Sequence, residues 1–342
     1  MSNKRILVTG GAGYIGSHVC VELLQRKYAV TIIDNFCNSH PAVLDRIERI
    51  CGTRPDFING DIQDTQLLNR LFYDHDFYAV MHFAGLKAVS ESVEVPIKYY
   101  ANNVCGSLKL LHAMKCAQVR RLVFSSSATV YGSPHTLPIR EDFPKTATNP
   151  YGRSKVAVED ILGDISTSEQ GWNIAILRYF NPVGSHESGL IGEDPVGIPN
   201  NLFPYIAQVA VGRRDKLFVY GGDYPTPDGT GIRDYVHVVD LAEGHIAALE
   251  YIHEQGNILL TLNLGTGQGY STLDVINAFE RVTRLRIPYQ IVQRRSGDIA
   301  ACWADPALAK RMLRWQAKRG LDTMCANTWQ WQKMNPNGYK PA

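Results

Sequence analysis

Tyr151 and Lys155 stand four residues apart in Asn149-Pro150-Tyr151-Gly152-Arg153-Ser154-Lys155. Pro150 suits the first turn of a helix, and on a helix positions four apart share a face. A phenol beside an ammonium is drawn towards ionisation, because the cation favours the phenolate. Tyr alone titrates near ~10, too high for a base at neutral pH. Paired with Lys155, Tyr151 is placed to move a proton on and off a substrate hydroxyl. The spacing alone is weak, since a surface Tyr and Lys at a helix start give the same letters. A third group strengthens it: Ser127 closes the polar triplet after the apolar run from Leu122 to Phe124, where it can hydrogen-bond a reacting oxygen or position the phenol.

These side chains need elements to hold them. Lys4 to Thr9 reads as a short buried strand, followed by Gly10-Gly11-Ala12-Gly13-Tyr14-Ile15-Gly16 and a helix to about Arg26. Glycines 10, 13 and 16 permit a tight turn and a close backbone approach to a pyrophosphate at a helix N-terminus. The next strand, Ala29 to Ile33, ends in Asp34, 18 residues after Gly16. A carboxylate there accepts from adenine-ribose hydroxyls and repels a 2′-phosphate, which predicts NAD rather than NADP. A helix over Pro41–Cys51, a strand over 57–62 with Asp61 in its acidic turn, and a strand over 78–83 running into Ala84-Gly85-Leu86-Lys87 continue the alternation. Asp61 suits an adenine edge or a helix N-cap. Lys87 can face phosphate or sugar. A long helix is expected over 96–117, the next strand at 121–126, the Tyr151–Lys155 helix to about Ser166, and a strand at 173–180. Alternation of this kind predicts an α/β fold with a doubly wound parallel sheet of Rossmann type. After Asn181-Pro182-Val183-Gly184 the chain becomes loop-rich. We expect a dinucleotide-binding domain over 1–180, joined by a segment near 232–264 whose strand at 232–238 returns to the main sheet. A smaller α/β substrate domain is expected over 181–342.

Composition narrows the classes. The chain has 342 residues, 45% hydrophobic and 20% charged, with a net charge of +2. This predicts a globular protein with no strong attraction to nucleic acid or membrane. No apolar run approaches the ~20 residues of a membrane span, and no signal-peptide pattern precedes the first strand. Seven scattered cysteines without a CxxC suit a reducing cytosol and a cytoplasmic location. The ten histidines show no metal-ligand spacing, so no metal is assigned.

The blocks at 82–89, 125–132, 177–184, 197–214 and 228–241, with Gly10-x-x-Gly13-x-x-Gly16, Asp34, Ser127 and Tyr151-x-x-x-Lys155, carry a resemblance over essentially the whole chain. It resembles the extended short-chain dehydrogenase/reductase family, and within it the UDP-hexose 4-epimerases. The resemblance implies a retained NAD, hydride removal from sugar C4 to give a 4-keto intermediate, rotation of that intermediate and return of the hydride to its other face. It implies cofactor contacts at Gly10, Gly13, Tyr14, Ile15, Gly16, Asp34, Asn35, Ser39, Asp61, Ile62, Phe83, Ala84, Lys87, Asn102, Tyr151, Lys155 and Phe180. It implies contacts to a UDP-sugar at Lys87, Ser127, Tyr151, Asn181, Asn201, Leu202, Tyr220, Arg233, Arg295, Asp298 and Cys302. Arg233 and Arg295 suit a pyrophosphate by charge and fork geometry. The helices near 96–117 and 151–166 look like this family's homodimer interface. At Cys302 the most similar bacterial members usually have Tyr, whereas members accepting N-acetylated sugars usually have a small residue. Cys302 therefore predicts room for an N-acetyl group at C2, and action on UDP-GlcNAc/UDP-GalNAc besides UDP-Glc/UDP-Gal. Two other readings are a nucleotide-sugar 4,6-dehydratase, which would place Asp-Glu after Ser127, and a non-catalytic NAD-binding protein, which would be expected to lack part of the Ser-Tyr-Lys set.

Overall fold

The computed structural model describes residues 4–195, 197–295 and 297–340. Its strands are β1 (Arg5–Thr9), β2 (Ala29–Asp34), β3 (Asp56–Asn59), β4 (Phe77–His82), β5 (Arg121–Ser127), β6 (Asn173–Tyr179), β7 (Asn181–Val183), β8 (Leu217–Tyr220), β9 (Ile232–His237), β10 (Ile258–Leu264), β11 (Gly269–Ser271), β12 (Tyr289–Val292) and β13 (Ala301–Cys302). Its α-helices are α1 (Tyr14–Gln25), α2 (Ala42–Cys51), α3 (Thr65–Asp74), α4 (Val89–Glu94), α5 (Pro96–Tyr100), α6 (Gly106–Cys116), α7 (Pro150–Ser168), α8 (Leu202–Ala210), α9 (Val238–Glu254), α10 (Thr272–Thr283), α11 (Ala307–Leu313) and α12 (Leu321–Met334).

Seven strands form one parallel sheet in the order β10-β6-β5-β4-β1-β2-β3. Both faces are covered, and the sequence shows why. Alternate residues of a strand point to opposite faces. In β1, Ile6 and Val8 pack with Val19, Leu23, Leu241 and Ile246 of α1 and α9, while Leu7 packs with Leu68, Leu110 and Leu162 of α3, α6 and α7. Strands apolar on both faces read as continuous apolar runs, which is the signature of a doubly wound sheet. A second sheet has β9 at its centre, paired with β7, β11 and β13, and β8 pairs with β12. A separate apolar cluster with Phe203, Tyr235, Phe279 and Met324 fills that part of the molecule.

Two expectations need correction. The segment 232–264 divides: β10 joins the main sheet beside β6, and α9 packs on it, but β9 heads the second sheet. Strand pairing is a long-range choice, and the apolar letters of β9 suit either sheet. The helix expected over 96–117 is α5 and α6 joined by a π-helical turn over Ala101–Cys105. Such a turn adds one residue to the helical winding without interrupting the apolar pattern, and it is often found at functional sites. The sequence reading also passed over α3, whose N-cap is Asp64, accepting from Leu67 N at 3.0 Å. The capping role weighed for Asp61 therefore belongs to Asp64.

Candidate active site

In the main sheet the strand order reverses between β1 and β4, and ligands of such sheets bind outside the carboxyl ends at that point. The chain here is cut to the glycine. Gly10 has φ +69°, and a Cβ on it would stand 2.7 Å from Ala84 N, on the loop after β4. A Cβ on Gly16 would stand 2.3 Å from Gly10 O. Helix α1 starts after Gly13 with no side-chain cap and no acidic residue in its first turn. Its leading N–H groups and dipole therefore suit an anion. Asp34 accepts from Ala12 N at 3.0 Å, Phe36 N at 2.9 Å and Ser39 Oγ at 2.8 Å. A carboxylate has about four lone-pair sites, so Asp34 retains acceptor capacity for a ribose hydroxyl. Asn35 Nδ2 donates to Asp61 Oδ2 at 2.8 Å, and Ile62 packs where a Cβ on Gly106 would stand 2.8 Å from its Cδ1. The cradle, the open helix end and the acceptor set fit a dinucleotide without a 2′-phosphate. Tyr14 Oη donates to Gly184 O at 2.7 Å, tying α1 to the segment after β7.

Beside this crevice, β5 ends at Ser127 and α7 begins at Pro150. Asn149 caps the helix by accepting from Gly152 N at 2.9 Å. Lys155 is 6% exposed; its Nζ donates to Ser125 O at 2.8 Å and lies 4.9 Å from the centre of the Phe124 ring. A Cβ on Gly85 would stand 3.6 Å from that Nζ, so the loop carrying Phe83, Ala84 and Lys87 reaches the lysine. Burial pulls Lys155 down to about 8, against the field of Glu159. Burial raises the Tyr151 phenol above its ordinary value, and the neighbouring Ser127 hydroxyl draws it down. Here the expectation is corrected: desolvation outweighs any help from Lys155, whose ammonium is bonded to a carbonyl. Ser127 Oγ accepts from Thr129 N at 3.2 Å and Thr129 Oγ1 at 3.0 Å, which leaves its own proton to donate.

The remaining candidates lie on several elements. Arg233 Nη2 lies 4.0 Å from Asp298 Oδ1, Arg295 Nε lies 3.4 Å from Asp298 Oδ2, and the Arg295 guanidinium lies 4.3 Å from the centre of the Tyr220 ring. Cys302 pairs with Arg233 in register and packs against the cluster containing Phe180, Val130 and Tyr131. Burial pushes its thiol up to about 11. Asn181 lies in β7, and Asn201 precedes Leu202 at the start of α8. Asn102 lies in the π turn and donates to Asn103 Oδ1 at 2.9 Å.

Sequence reasoning missed several supporting residues. Glu159 accepts from Ser126 Oγ at 2.6 Å and from Arg178 at 2.9 and 2.6 Å, a buried pair behind Lys155. Its place four residues after Lys155 was the available signal. Asn103 clamps both backbone groups of Leu86 at 2.8 and 3.0 Å and donates to Ser154 Oγ at 3.0 Å. Glu193 meets Lys87 across 106 residues of chain, with no local signal. Among the described residues no helix is long and apolar enough to cross a membrane, and no cluster of His, Cys, Asp and Glu could hold a metal ion.

A doubly wound sheet with this glycine turn and a Ser-Tyr-Lys set is the arrangement of the extended short-chain dehydrogenases/reductases. Comparison with known proteins agrees and narrows it. A family model described as GDP-mannose 4,6 dehydratase matches residues 7–328. The UDP-glucose 4-epimerase of Bacillus subtilis is 56% identical over 337 residues, covering 98% of this chain and 99% of that one. The UDP-glucose 4-epimerase of Stenotrophomonas maltophila, solved with NAD and a formylated UDP-arabinopyranose, superposes with a TM-score of 0.95 at 52% identity, covering 97% and 99% of the two chains. The enzyme of Bifidobacterium longum, solved with NAD+ and UDP, gives a TM-score of 0.95 at 52% identity over 98% of this chain and 100% of that one. The chain belongs to the UDP-glucose 4-epimerase family.

Proposed function

We propose that the protein is an NAD-dependent UDP-hexose 4-epimerase, an isomerase interconverting UDP-glucose and UDP-galactose. The observation that carries this reading is the docking of α7, which bears Tyr151 and Lys155, on the carboxyl end of β5 that closes in Ser127, with Lys155 Nζ bonded to Ser125 O at 2.8 Å beside the β1/β4 switch point. Gly10, Gly13, Tyr14, Ile15 and Gly16 would cradle the cofactor, with Asp34, Asn35, Ser39, Asp61 and Ile62 on its adenosine side. Phe83, Ala84, Lys87, Asn102, Lys155 and Phe180 would lie towards its reacting end. Bound NAD+ supplies an acceptor for the C4 hydride of the sugar and gives the hydride back. Tyr151 takes the proton of the C4 hydroxyl and later returns it, and Ser127 donates to the same oxygen. The Lys155 ammonium favours the phenolate when it is charged. Arg233, Arg295, Asp298, Tyr220, Asn181, Asn201 and Leu202 would hold the UDP, leaving the 4-keto sugar free to present either face. In this reading residues 1–180 bind the cofactor, aided by α9 and β10, and 181–342 supply most of the UDP-sugar site.

Ala128-Thr129-Val130 carries no carboxylate after Ser127, which disfavours a 4,6-dehydratase. A second activity is favoured by Cys302. A thiol there, against Phe180 and Val130, occupies far less space than a phenol ring, so the site accepts N-acetylhexosamines as well. We also infer a homodimer and a cytoplasmic location. The exposed apolar side chains Val93, Ile97 and Leu108 on α4, α5 and α6 support the former. Seven cysteines without a disulfide support the latter.

NMR analysis of products from each UDP-sugar, without added NADH, tests the assignment. Tyr151→Phe is expected to lower kcat roughly hundredfold or more; unchanged epimerisation removes Tyr151 from the mechanism. Cys302→Tyr is expected to abolish turnover of UDP-GlcNAc while sparing UDP-glucose; retained N-acetyl activity refutes the gate.

A further inference from the structure

Glu193 lies between β7 and α8, outside every motif used above. Its side chain is 9% exposed, and its Oε1 accepts from two sides: Lys87 Nζ at 3.1 Å and Asn201 Nδ2 at 2.8 Å. Lys87 belongs to the loop after β4, whereas Asn201 opens α8 in the other half of the molecule. Asn is a favoured N-cap, yet the Asn201 side chain makes no capping bond; it is turned to Glu193 instead. The acceptor is itself anchored. Trp331 Nε1 donates to Glu193 O at 3.3 Å, Gly192 N donates to Tyr339 Oη at 3.1 Å, and a Cβ on Gly192 would stand 2.4 Å from Trp331 Cγ. A mobile surface Lys–Glu pair would contribute little, but here a fixed carboxylate orders two flexible donors. Both donors keep protons to spare, since an amide has a second N–H and an ammonium two more.

We propose that Glu193 is a positioning residue for the nucleotide sugar: it fixes the Asn201 amide and the Lys87 ammonium across the mouth of the cleft, so that their remaining N–H groups are pre-aimed at anionic oxygens of the bound UDP-sugar. This rests on the reading of Lys87 and Asn201 as ligand contacts. Ordering flexible donors before binding removes an entropic cost from binding rather than from chemistry. The effect therefore belongs in affinity.

The experiment is a series of Glu193→Ala, Glu193→Gln, Asn201→Ala and the Glu193→Ala/Asn201→Ala double variant. It is read by UDP titration calorimetry and by KM and kcat for UDP-glucose. Glu193→Ala is expected to raise the UDP Kd and the KM about tenfold with kcat within about twofold. Glu193→Gln, which keeps an oxygen acceptor, should recover most of the loss. The double variant should lose less than the product of the two single effects, because the clamp acts partly through Asn201 and only the remainder through Lys87. An unchanged Kd, a fall in kcat at constant KM, or multiplicative effects in the double variant would overturn the proposal. If Glu193→Ala does not fold, Glu193→Asp carries the test: its shorter arm should weaken UDP binding, and wild-type affinity would refute the clamp. A wild type that binds UDP without epimerising UDP-glucose rejects the catalytic reading, while the Kd series still decides the role of Glu193.

Discussion

Tyr151 is half-buried, and desolvation of its phenol works against the ionised form that its role requires. Lys155 was expected to supply the compensation, but it is buried. Burial holds it at about 8, and its Nζ is bonded to Ser125 O. The unfolded lysine titrates near ~10.4. Below about 8 the group is protonated in both states, and the cost of burying the ammonium is fully present. Between the two values the unfolded chain binds more protons than the folded one, so this group makes stability rise with pH. The expected outcome is a pH-dependent gain in thermal midpoint above about pH 8 that is missing from Lys155→Met, measured by calorimetry on both proteins.

At the scale of elements, the glycine turn and α1 act as one part. Gly13 and Gly16 look alike in the letters but not in space. A Cβ on Gly13 would stand 3.2 Å from Gly10 O, tight but tolerable with a small shift. A Cβ on Gly16 would stand 2.3 Å from the same oxygen and 2.8 Å from Gly11 Cα, against backbone that cannot give way. Gly16→Ala is therefore expected to displace the turn and lose most NAD on gel filtration, with Gly13→Ala retaining more. Equal retention by the two variants would contradict this geometry. Helix α7 is held in the same spirit: Asn149 starts it, Asn103 reaches it through Ser154, and Glu159 joins it to Arg178 on β6.

On the scale of the molecule, the apolar side chains of α4 and α5 remain to be covered. Val93 is 63% exposed and Ile97 83%, large values for aliphatic side chains. In the proposed homodimer a second copy of the chain would cover them. Sedimentation should show a dimer for the wild type and a monomer for Val93→Glu/Ile97→Glu. A wild-type monomer would remove this face from the assembly.

What was legible in the sequence was local: the alternation of strands and helices, Gly10 through Gly16, Asp34 closing β2, and Tyr151 with Lys155 four apart on one helix. Each depends on residues a few positions apart, where backbone geometry alone relates letter to place. The doubly wound sheet was legible for a related reason, because strands buried on both faces must be apolar throughout. Tertiary structure alone decided the rest. It put β9 in the second sheet and β10 in the first, since strand partners are chosen over long loops by competing surfaces. It set the burial that moves Tyr151 and Lys155 away from their ordinary values. It also brought Glu193 to Lys87 and Asn201, because a carboxylate anchored in a loop finds its donors only once both halves of the chain have packed.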